Sequence, residues 1–423
     1  MRSCREYTLF AMKKRIAIFA SAMTGLLAAR LVVMKATPLF EPSEARYAAI
    51  SANMARTGDF LVPSFTYKGT YRPFAGKPPL VFQASGMFCR IFGVSEFAAR
   101  LVPFLSFAAL LVLLFVVVRR LAHIETGMLA AGICSTSVAI YATAGFCMTD
   151  VPLTLCSSGA LLLYLLHRNG TPQPSLRIVI GIATLLGSGM LVKGPVALAL
   201  FGLPVVADAA INRKWKHILS IRWLLGAVIF VVISAPWFCM MENAQPGFVR
   251  YFFINENLLR FLVHDYGDMY GSGRETFRGM ALIWALVVTM PWSLVAPFRP
   301  RCMGLHALRS SFPLLASAVI TAFWCMTSRV PLAYLLPIVP LFAAHLALYG
   351  TRDEPCRSTS WRVFPFAAAT SAILLVTTLM VVLAFAPDKM PGAAAEPTAR
   401  KSRFSYEFYN GPWGKGAPKE LAK

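Results

Sequence analysis

The sequence predicts an all-α polytopic membrane protein, and three observations carry that expectation. Of the 423 residues, 57% are hydrophobic and only 14% charged, against roughly 25% charged in ordinary soluble domains. Apolar runs of membrane-span length recur along the chain, about eleven of them when about 17 to 25 residues is required. The 41 Lys and Arg, against 19 Asp and Glu, sit in short clusters between those runs, where a membrane protein needs them for orientation. The resulting formal charge of +22 would point to nucleic acid in a soluble chain. Here it fits anionic lipid head groups and lipid phosphates.

With approximate bounds, the expected spans are 16–34, 101–118, 126–146, 151–166, 177–192, 195–211, 222–241, 279–298, 312–327, 332–349 and 363–386. The first follows Lys13, Lys14 and Arg15 and reads as a membrane helix rather than a secretory signal. It is long for a signal core, Arg30 lies near its far end without a small-x-small cleavage site, and more spans follow. The fourth to sixth runs are short and fit tilted helices or tight turns. The nine cysteines form no CxxC spacing, and Cys134, Cys156, Cys239 and Cys325 lie in apolar runs as small hydrophobes.

Short loops set the orientation. Arg119 and Arg120, the Arg213-Lys214-Trp215-Lys216 cluster, Arg299 with Arg301, and Arg352 with Arg357 all fall on the side of the basic amino terminus if spans alternate. The amino terminus is therefore expected in the cytoplasm and the carboxyl terminus outside. Residues 1–386 form one transmembrane domain in this reading, with a long first outer loop at about 35–100 and a second at about 242–278. Residues 387–423 form a short polar tail on the outer side. The first loop's aromatics, prolines and charges predict helices lying at the interface.

Charged residues then collect on one membrane face. The first loop opens with Phe40-Glu41-Pro42-Ser43-Glu44-Ala45-Arg46-Tyr47-Ala48, two carboxylates three apart followed by an Arg. Ordinary helix capping explains these acids as well as chemistry does. Phe74-Ala75-Gly76-Lys77-Pro78-Pro79-Leu80 holds a Lys on a stiff, extended segment that can present its ammonium to a phosphate. Asp150, in Cys147-Met148-Thr149-Asp150-Val151-Pro152-Leu153, stands at the outer end of the third and fourth spans. A carboxylate at mid-bilayer would cost roughly 2.5–3.5 kcal/mol, so an interfacial position is affordable and fits capping or catalysis alike. Lys193, in Leu191-Val192-Lys193-Gly194-Pro195, fits either a site cation or a snorkelling one.

In the second loop, Tyr251-Phe252-Phe253-Ile254-Asn255-Glu256-Asn257-Leu258-Leu259-Arg260-Phe261 reads as an amphipathic helix, with Glu256 and Arg260 spaced i,i+4 as surface support. His264, Asp265 and Asp268 are thin evidence for a metal, and Arg329 with Tyr334 marks the last outer turn. The case for chemistry is convergence. Glu41, Glu44, Arg46, Lys77, Asp150, Lys193, Arg260 and Arg329 all fall on the outer face at the ends of different spans. Acids for a base and cations for a phosphate, together at one interface, fit chemistry on a lipid-linked substrate.

The order of motifs resembles the integral-membrane glycosyltransferases of the GT-C fold, in the group containing the lipid A aminoarabinose transferases and the protein O-mannosyltransferases. The resemblance runs through Glu44-Ala45-Arg46-Tyr47-Ala48 with Met54 and Gly58-Asp59-Phe60-Leu61-Val62-Pro63, then Lys77-Pro78-Pro79-Leu80, Phe92-Gly93 with Ala99-Arg100, and Thr149-Asp150-Val151-Pro152. It continues through Val192-Lys193-Gly194, Pro236-Trp237, Tyr251-Phe252-Phe253 with Arg260-Phe261, Pro291-Trp292, and Arg329-Val330-Pro331 with Tyr334. Each piece is short; their common order is specific.

That resemblance implies a GT-C bundle and a multi-pass protein of the bacterial cytoplasmic membrane. It implies transfer of a sugar from a polyprenyl-phosphate donor to a hydroxyl of an envelope glycolipid, similar to lipid A or lipopolysaccharide, on the outer face and with inversion. Glu44, Glu41 and Asp150 are the implied catalytic acids, one first-loop acid serving as base. Lys77, Arg46 and Arg260 are implied at the donor phosphate, with Tyr47, Lys193, Arg329 and Tyr334 lining the same cavity. A transporter or flippase of a lipid-linked substrate, or a protein O-glycosyltransferase, is the alternative. The chain departs from the family at Ser43, where an Asp is common, and at Gly76 and Asn257, where a Glu and a His are associated with bound zinc. Zinc is therefore not carried over, and the need for a divalent metal stays open. Relatives continue beyond the Ser405-Tyr406-Glu407-Phe408-Tyr409 segment into a larger outer domain, which leaves the acceptor and the sugar open.

Overall fold

A computed structural model describes residues 4–39, 43–67, 70–263, 276–295 and 311–350. Glu41, the His264, Asp265 and Asp268 group, the basic residues Arg299, Arg301, Arg352 and Arg357, the expected span 363–386 and the tail 387–423 lie outside the described residues.

The chain enters as α1 (Cys4–Ala36), crosses the first outer loop as α2 (Ser43–Thr57), β1 (Ser64–Tyr67), β2 (Thr70–Pro73) and α3 (Leu80–Phe92), and returns as α4 (Glu96–Leu121). Next come α5 (Ile124–Thr136), α6 (Val138–Thr143), α7 (Asp150–Arg168), α8 (Leu176–Lys193), α9 (Val196–Ile211), α10 (Trp215–Ile218) and α11 (Arg222–Ala244). The second outer loop forms one helical stretch, α12, from Phe248–Arg250 through π-wound Tyr251–Leu259 into Arg260–Leu262. It is followed by α13 (Met280–Val288), α14 (Trp292–Val295), α15 (Phe312–Cys325), a 3-10 turn (Leu332–Leu335) and α16 (Ile338–Gly350).

Among the described residues, five helices are both long and apolar enough to cross a membrane: Met12–Ala36 within α1, then α4, α7, α8 and α11. The helices α9, α15 and α16 are apolar but shorter. The central element is α7, whose most apolar window is 83% buried inside the protein. Its 19 residues rise about 28 Å, close to the roughly 30 Å hydrocarbon core, so Asp150 and Arg168 mark opposite membrane faces. The window of α1 is only 17% buried, which leaves most of that helix for lipid.

Three features depart from expectation. The third expected run is not one span: it breaks at Ser137, whose backbone is extended. The hydroxyls of Ser135, Thr136 and Ser137 all donate to carbonyls three or four residues back, a competition that bends helices. The break is stitched to the next layer, since the Val138 amide donates to the Met290 carbonyl and the Trp292 indole to the Thr136 hydroxyl. The eighth run divides likewise, into α13 and α14 around Pro291, which has no amide to continue a helix. The first outer loop is not purely helical, because β1 and β2 pair antiparallel with Ser64 opposite Pro73. Phe74, which follows the hairpin, packs edge-on against Tyr47 and Phe82, seating it on α2 and α3.

Candidate functional site

At the outer end of the bundle, Asp150 opens α7 and Lys193 closes α8. Both are buried, and the Lys193 ammonium donates to Asp150 Oδ1 at 2.6 Å. The helix ends alone explain the pairing: a carboxylate suits the first turn of one helix and a cation the last turn of its antiparallel neighbour. Lys193 Nζ also lies 4.0 Å from the centre of the Tyr334 ring, within cation–π range. Tyr334 packs against Trp324, ring centres 4.6 Å apart, and Trp324 against Phe261 of α12. The Trp324 indole nitrogen is buried and has no hydrogen-bond acceptor among the described residues.

The residue after Lys193 fixes the next neighbour. Gly194 caps α8 with φ of +86°, and a Cβ there would lie 2.6 Å from Phe252 Cζ. Only glycine satisfies both constraints, so α12 presses directly against the turn that follows Lys193. From α12, Glu256 reaches back to the first loop. Its Oε1 accepts from Lys77 Nζ at 2.5 Å and from Arg260 Nη1 at 2.7 Å, and its side chain is 2% exposed. Lys77 also donates to the Gly76 carbonyl at 2.6 Å. The surface support expected of Glu256 and Arg260 is thereby corrected: the pair belongs to a three-residue cluster spanning two loops, with Glu256 buried and its two cations partly buried. Trp237 completes the seam, donating its indole to the Leu61 carbonyl and stacking into the ring cluster of Phe238, Phe248 and Phe252.

Glu44 has a different set of partners. Its two oxygens receive Arg100 Nε at 2.7 Å and Nη2 at 3.0 Å, and Oε1 also accepts the Cys147 amide at 3.0 Å. Arg100 is fully buried, and its remaining donors go to the Met34, Thr37 and Pro38 carbonyls and the Thr37 hydroxyl. Three donors already occupy this buried carboxylate, so the geometry favours an anchoring role for Glu44 over the expected role of base. It ties α2, the end of α1 and α4 to the segment that leads into Asp150. Glu41, the other first-loop acid, lies outside the described residues.

Arg46 and Tyr47 are buried on α2. Burial pushes the Tyr47 phenol above its ordinary range, Arg46 and Lys193 oppose that shift, and Asp150 and Tyr334 reinforce it. The phenol therefore stays protonated at neutral pH, a donor within the field of the Asp150–Lys193 pair. Arg329 is buried in the turn before Tyr334. That turn is held by Thr276, which donates twice to the Ser328 carbonyl, and by the Trp284 indole on the Val330 carbonyl.

The family's zinc positions do not fit a metal here. Gly76 offers no side chain, Asn257 donates its amide to the Phe252 carbonyl at 2.7 Å, and no group of three or more His, Cys, Asp or Glu is placed to hold an ion among the described residues. Sequence reasoning gave no role to Arg100, Glu256 beyond a surface pair, or Trp324. Arg100 was legible only as an element of the motif order.

Comparison with known proteins bears on this geometry. Residues 76–239 match the family described as dolichyl-phosphate-mannose-protein mannosyltransferase. The undecaprenyl phosphate-alpha-4-amino-4-deoxy-L-arabinose arabinosyl transferase of Pectobacterium carotovorum is 27% identical over 357 residues, covering 82% of this chain and 62% of its own length. Its counterpart from Edwardsiella ictaluri is 27% identical over 327 residues, covering 74% of this chain and 56% of its own. The chain thus spans less than two thirds of these two curated relatives. The crystal structure of ArnT from Cupriavidus metallidurans bound to undecaprenyl phosphate superimposes with a TM-score of 0.70 at 20% identity, over 89% of this chain and 71% of that one. The protein is therefore a multi-pass membrane protein with the GT-C fold of the aminoarabinose transferases, and in sequence it is similar to them and to the dolichyl-phosphate-mannose-protein mannosyltransferases.

Proposed function

We propose that this chain is a glycosyltransferase of the bacterial cytoplasmic membrane, moving a sugar from a polyprenyl-phosphate donor to a hydroxyl of an envelope glycolipid on the outer face. The observation that carries the reading is the convergence of Lys77 and Arg260, 183 positions apart in sequence, on one carboxylate oxygen beside the Asp150–Lys193 pair. Two cations held together at the outer ends of spans fit a lipid phosphate. The similarity to arabinosyl transferases and to a fold seen with undecaprenyl phosphate supports the same donor class.

In this reading Lys77 and Arg260 hold the donor phosphate, with Arg46 and Arg329 adding to the field. Asp150 spends one oxygen on Lys193, and its second makes no hydrogen bond among the described residues. That oxygen takes the acceptor's proton. The acceptor oxygen then bonds to the anomeric carbon, the bond from that carbon to the phosphate oxygen breaks, and the electron pair leaves with the phosphate. In-line attack from the opposite face inverts the configuration. Tyr47 and Tyr334 line the cavity, and Lys193 holds Asp150 in place through its hydrogen bond to Oδ1. The paired charges stand at helix ends rather than at mid-span, which favours an enzyme over a flippase.

The test is mass spectrometry of envelope lipids from cells with the chain, without it, and with Asp150→Asn or Lys77→Gln. A sugar-sized mass lost with the gene and in both variants, at equal protein levels, supports the reading. Loss of the base lowers the rate by about 10²–10⁴. Unchanged glycolipids with an altered glycoprotein would move the acceptor to protein, as the mannosyltransferase match allows, and no change in either would end the enzyme reading.

A further inference from the structure

We infer that Glu256 is a positioning residue that sets the charge of the phosphate site, so that the donor phosphodiester binds and the phosphomonoester product is released. The inference rests on the proposed donor class. It starts from an unusual arrangement: a carboxylate buried to 5% exposure, between the two cations that would otherwise give the site its pull on phosphate. Both cations share Oε1, while Oε2 is buried and accepts no hydrogen bond among the described residues. Only one of its two oxygens is therefore committed, and two of the three Lys77 donors are used. The carboxylate holds the cations in place without saturating Lys77.

The charge arithmetic gives the consequence. Lys77, Arg260 and Glu256 sum to a single positive charge. A sugar-linked polyprenyl phosphate is a diester with one negative charge, which that cluster neutralises. On transfer the acceptor hydroxyl gives its proton to Asp150 and the leaving oxygen keeps the bonding pair. The product phosphate is then a monoester, whose second ionisation lies near pH 6 and which bears two negative charges above it. The additional charge is then held by the same two cations that hold the buried Glu256 carboxylate, where repulsion is stronger than in bulk solvent. Without Glu256 the cluster would carry two positive charges and match the product. The charged groups facing the site among the described residues are Lys77 from the first loop and Arg260 from the same helix, both on Glu256, with Lys193 and Asp150 beyond Gly194 and Arg46 and Arg329 adding to the field in both substrate and product states.

The experiment measures equilibrium binding of undecaprenyl phosphate and of its methyl diester to the full chain in nanodiscs, for wild type and Glu256→Gln. Glu256→Gln is expected to bind the monoester at least about tenfold tighter at pH 8 while diester affinity changes by less than about threefold. In wild type, monoester binding is expected to tighten as pH falls from 8 to about 5.5, where the second charge is lost, and diester binding to stay level. This second measurement holds even if the variant does not fold. A monoester affinity that is unchanged or weaker in Glu256→Gln, or that weakens in wild type on acidification, overturns the inference while leaving the donor class intact. Failure of wild type to bind either lipid overturns the donor class and the inference with it.

Discussion

Neutralising Glu44 separates two roles that look alike in an activity assay. If Glu44 holds the fold, Glu44→Gln leaves the Arg100 guanidinium, 0% exposed, without its carboxylate partner, and sets an amide N–H₂ against Nε or Nη2. Breaking one partner from a buried pair costs about 3–5 kcal/mol. The upper part of that range applies here, because the same carboxylate also accepts the Cys147 amide. If Glu44 were the base, the same substitution would leave stability near wild type and lower turnover by about 10²–10⁴. The assay is urea-dependent unfolding of the protein in mixed micelles, read by tryptophan fluorescence, beside transfer activity measured under strongly stabilising conditions. The expected result is a destabilisation of that size, partly recovered in Glu44→Gln/Arg100→Met, where both charges are gone. Wild-type stability with abolished transfer would refute the structural assignment and return Glu44 to the chemistry.

Other outcomes follow from single features. Gly194→Ala forces a left-handed backbone on alanine and drives its Cβ to 2.6 Å from Phe252 Cζ; a cost of about 1–3 kcal/mol is expected, with loss of donor binding as α12 shifts, and an unchanged variant would show that α12 is not held there. Burial, reinforced by His167, Lys214 and Arg168 and opposed by Asp208, holds the His217 imidazole below its ordinary range. The unfolded chain then takes up a proton that the folded one refuses, so stability is level above about pH 6.5 and falls on acidification below it; His217→Gln should flatten that slope in urea titrations between pH 7 and 5. A Tyr71→Cys substitution on exposed β2 in a background lacking native cysteines should react with an impermeant maleimide from the outer side of intact cells, and labelling only after lysis would invert the proposed orientation.

The membrane fold was legible because it is written in composition and run length, which need no partner to interpret. Nine expected runs lie wholly within the described residues and 279–298 lies there as far as Val295, and each coincides there with a helix or helix pair. What the runs concealed were breaks. Ser135, Thr136 and Ser137 pass as tolerated small residues in an apolar stretch, and their effect appears only when their hydroxyls are seen turning onto the helix's own carbonyls. The β1–β2 hairpin escaped for a related reason: strands of four residues each give too short a run for alternation to register.

The candidate site was legible as a set of charges on one face, but not as a set of roles, because role depends on partners distant in sequence. Glu44 and Arg100 are 56 positions apart, Lys193 and Asp150 are 43, and Lys77 and Glu256 are 179. No local pattern discriminates among these carboxylates, and an i,i+4 pair such as Glu256 with Arg260 has the same spacing exposed or buried. Counting how far each cation's donors are satisfied does discriminate. Arg100 places all three nitrogens on a carboxylate, carbonyls and a hydroxyl, in six contacts with nothing to spare, and a guanidinium so saturated is scaffolding. Lys193 makes one hydrogen bond and lies over a ring, and Lys77 makes two. Ammonium groups with donor capacity left over, buried at Lys193 and partly buried at Lys77, are where a ligand repays the cost of desolvation, and both stand at the outer ends of the bundle with α12 between them.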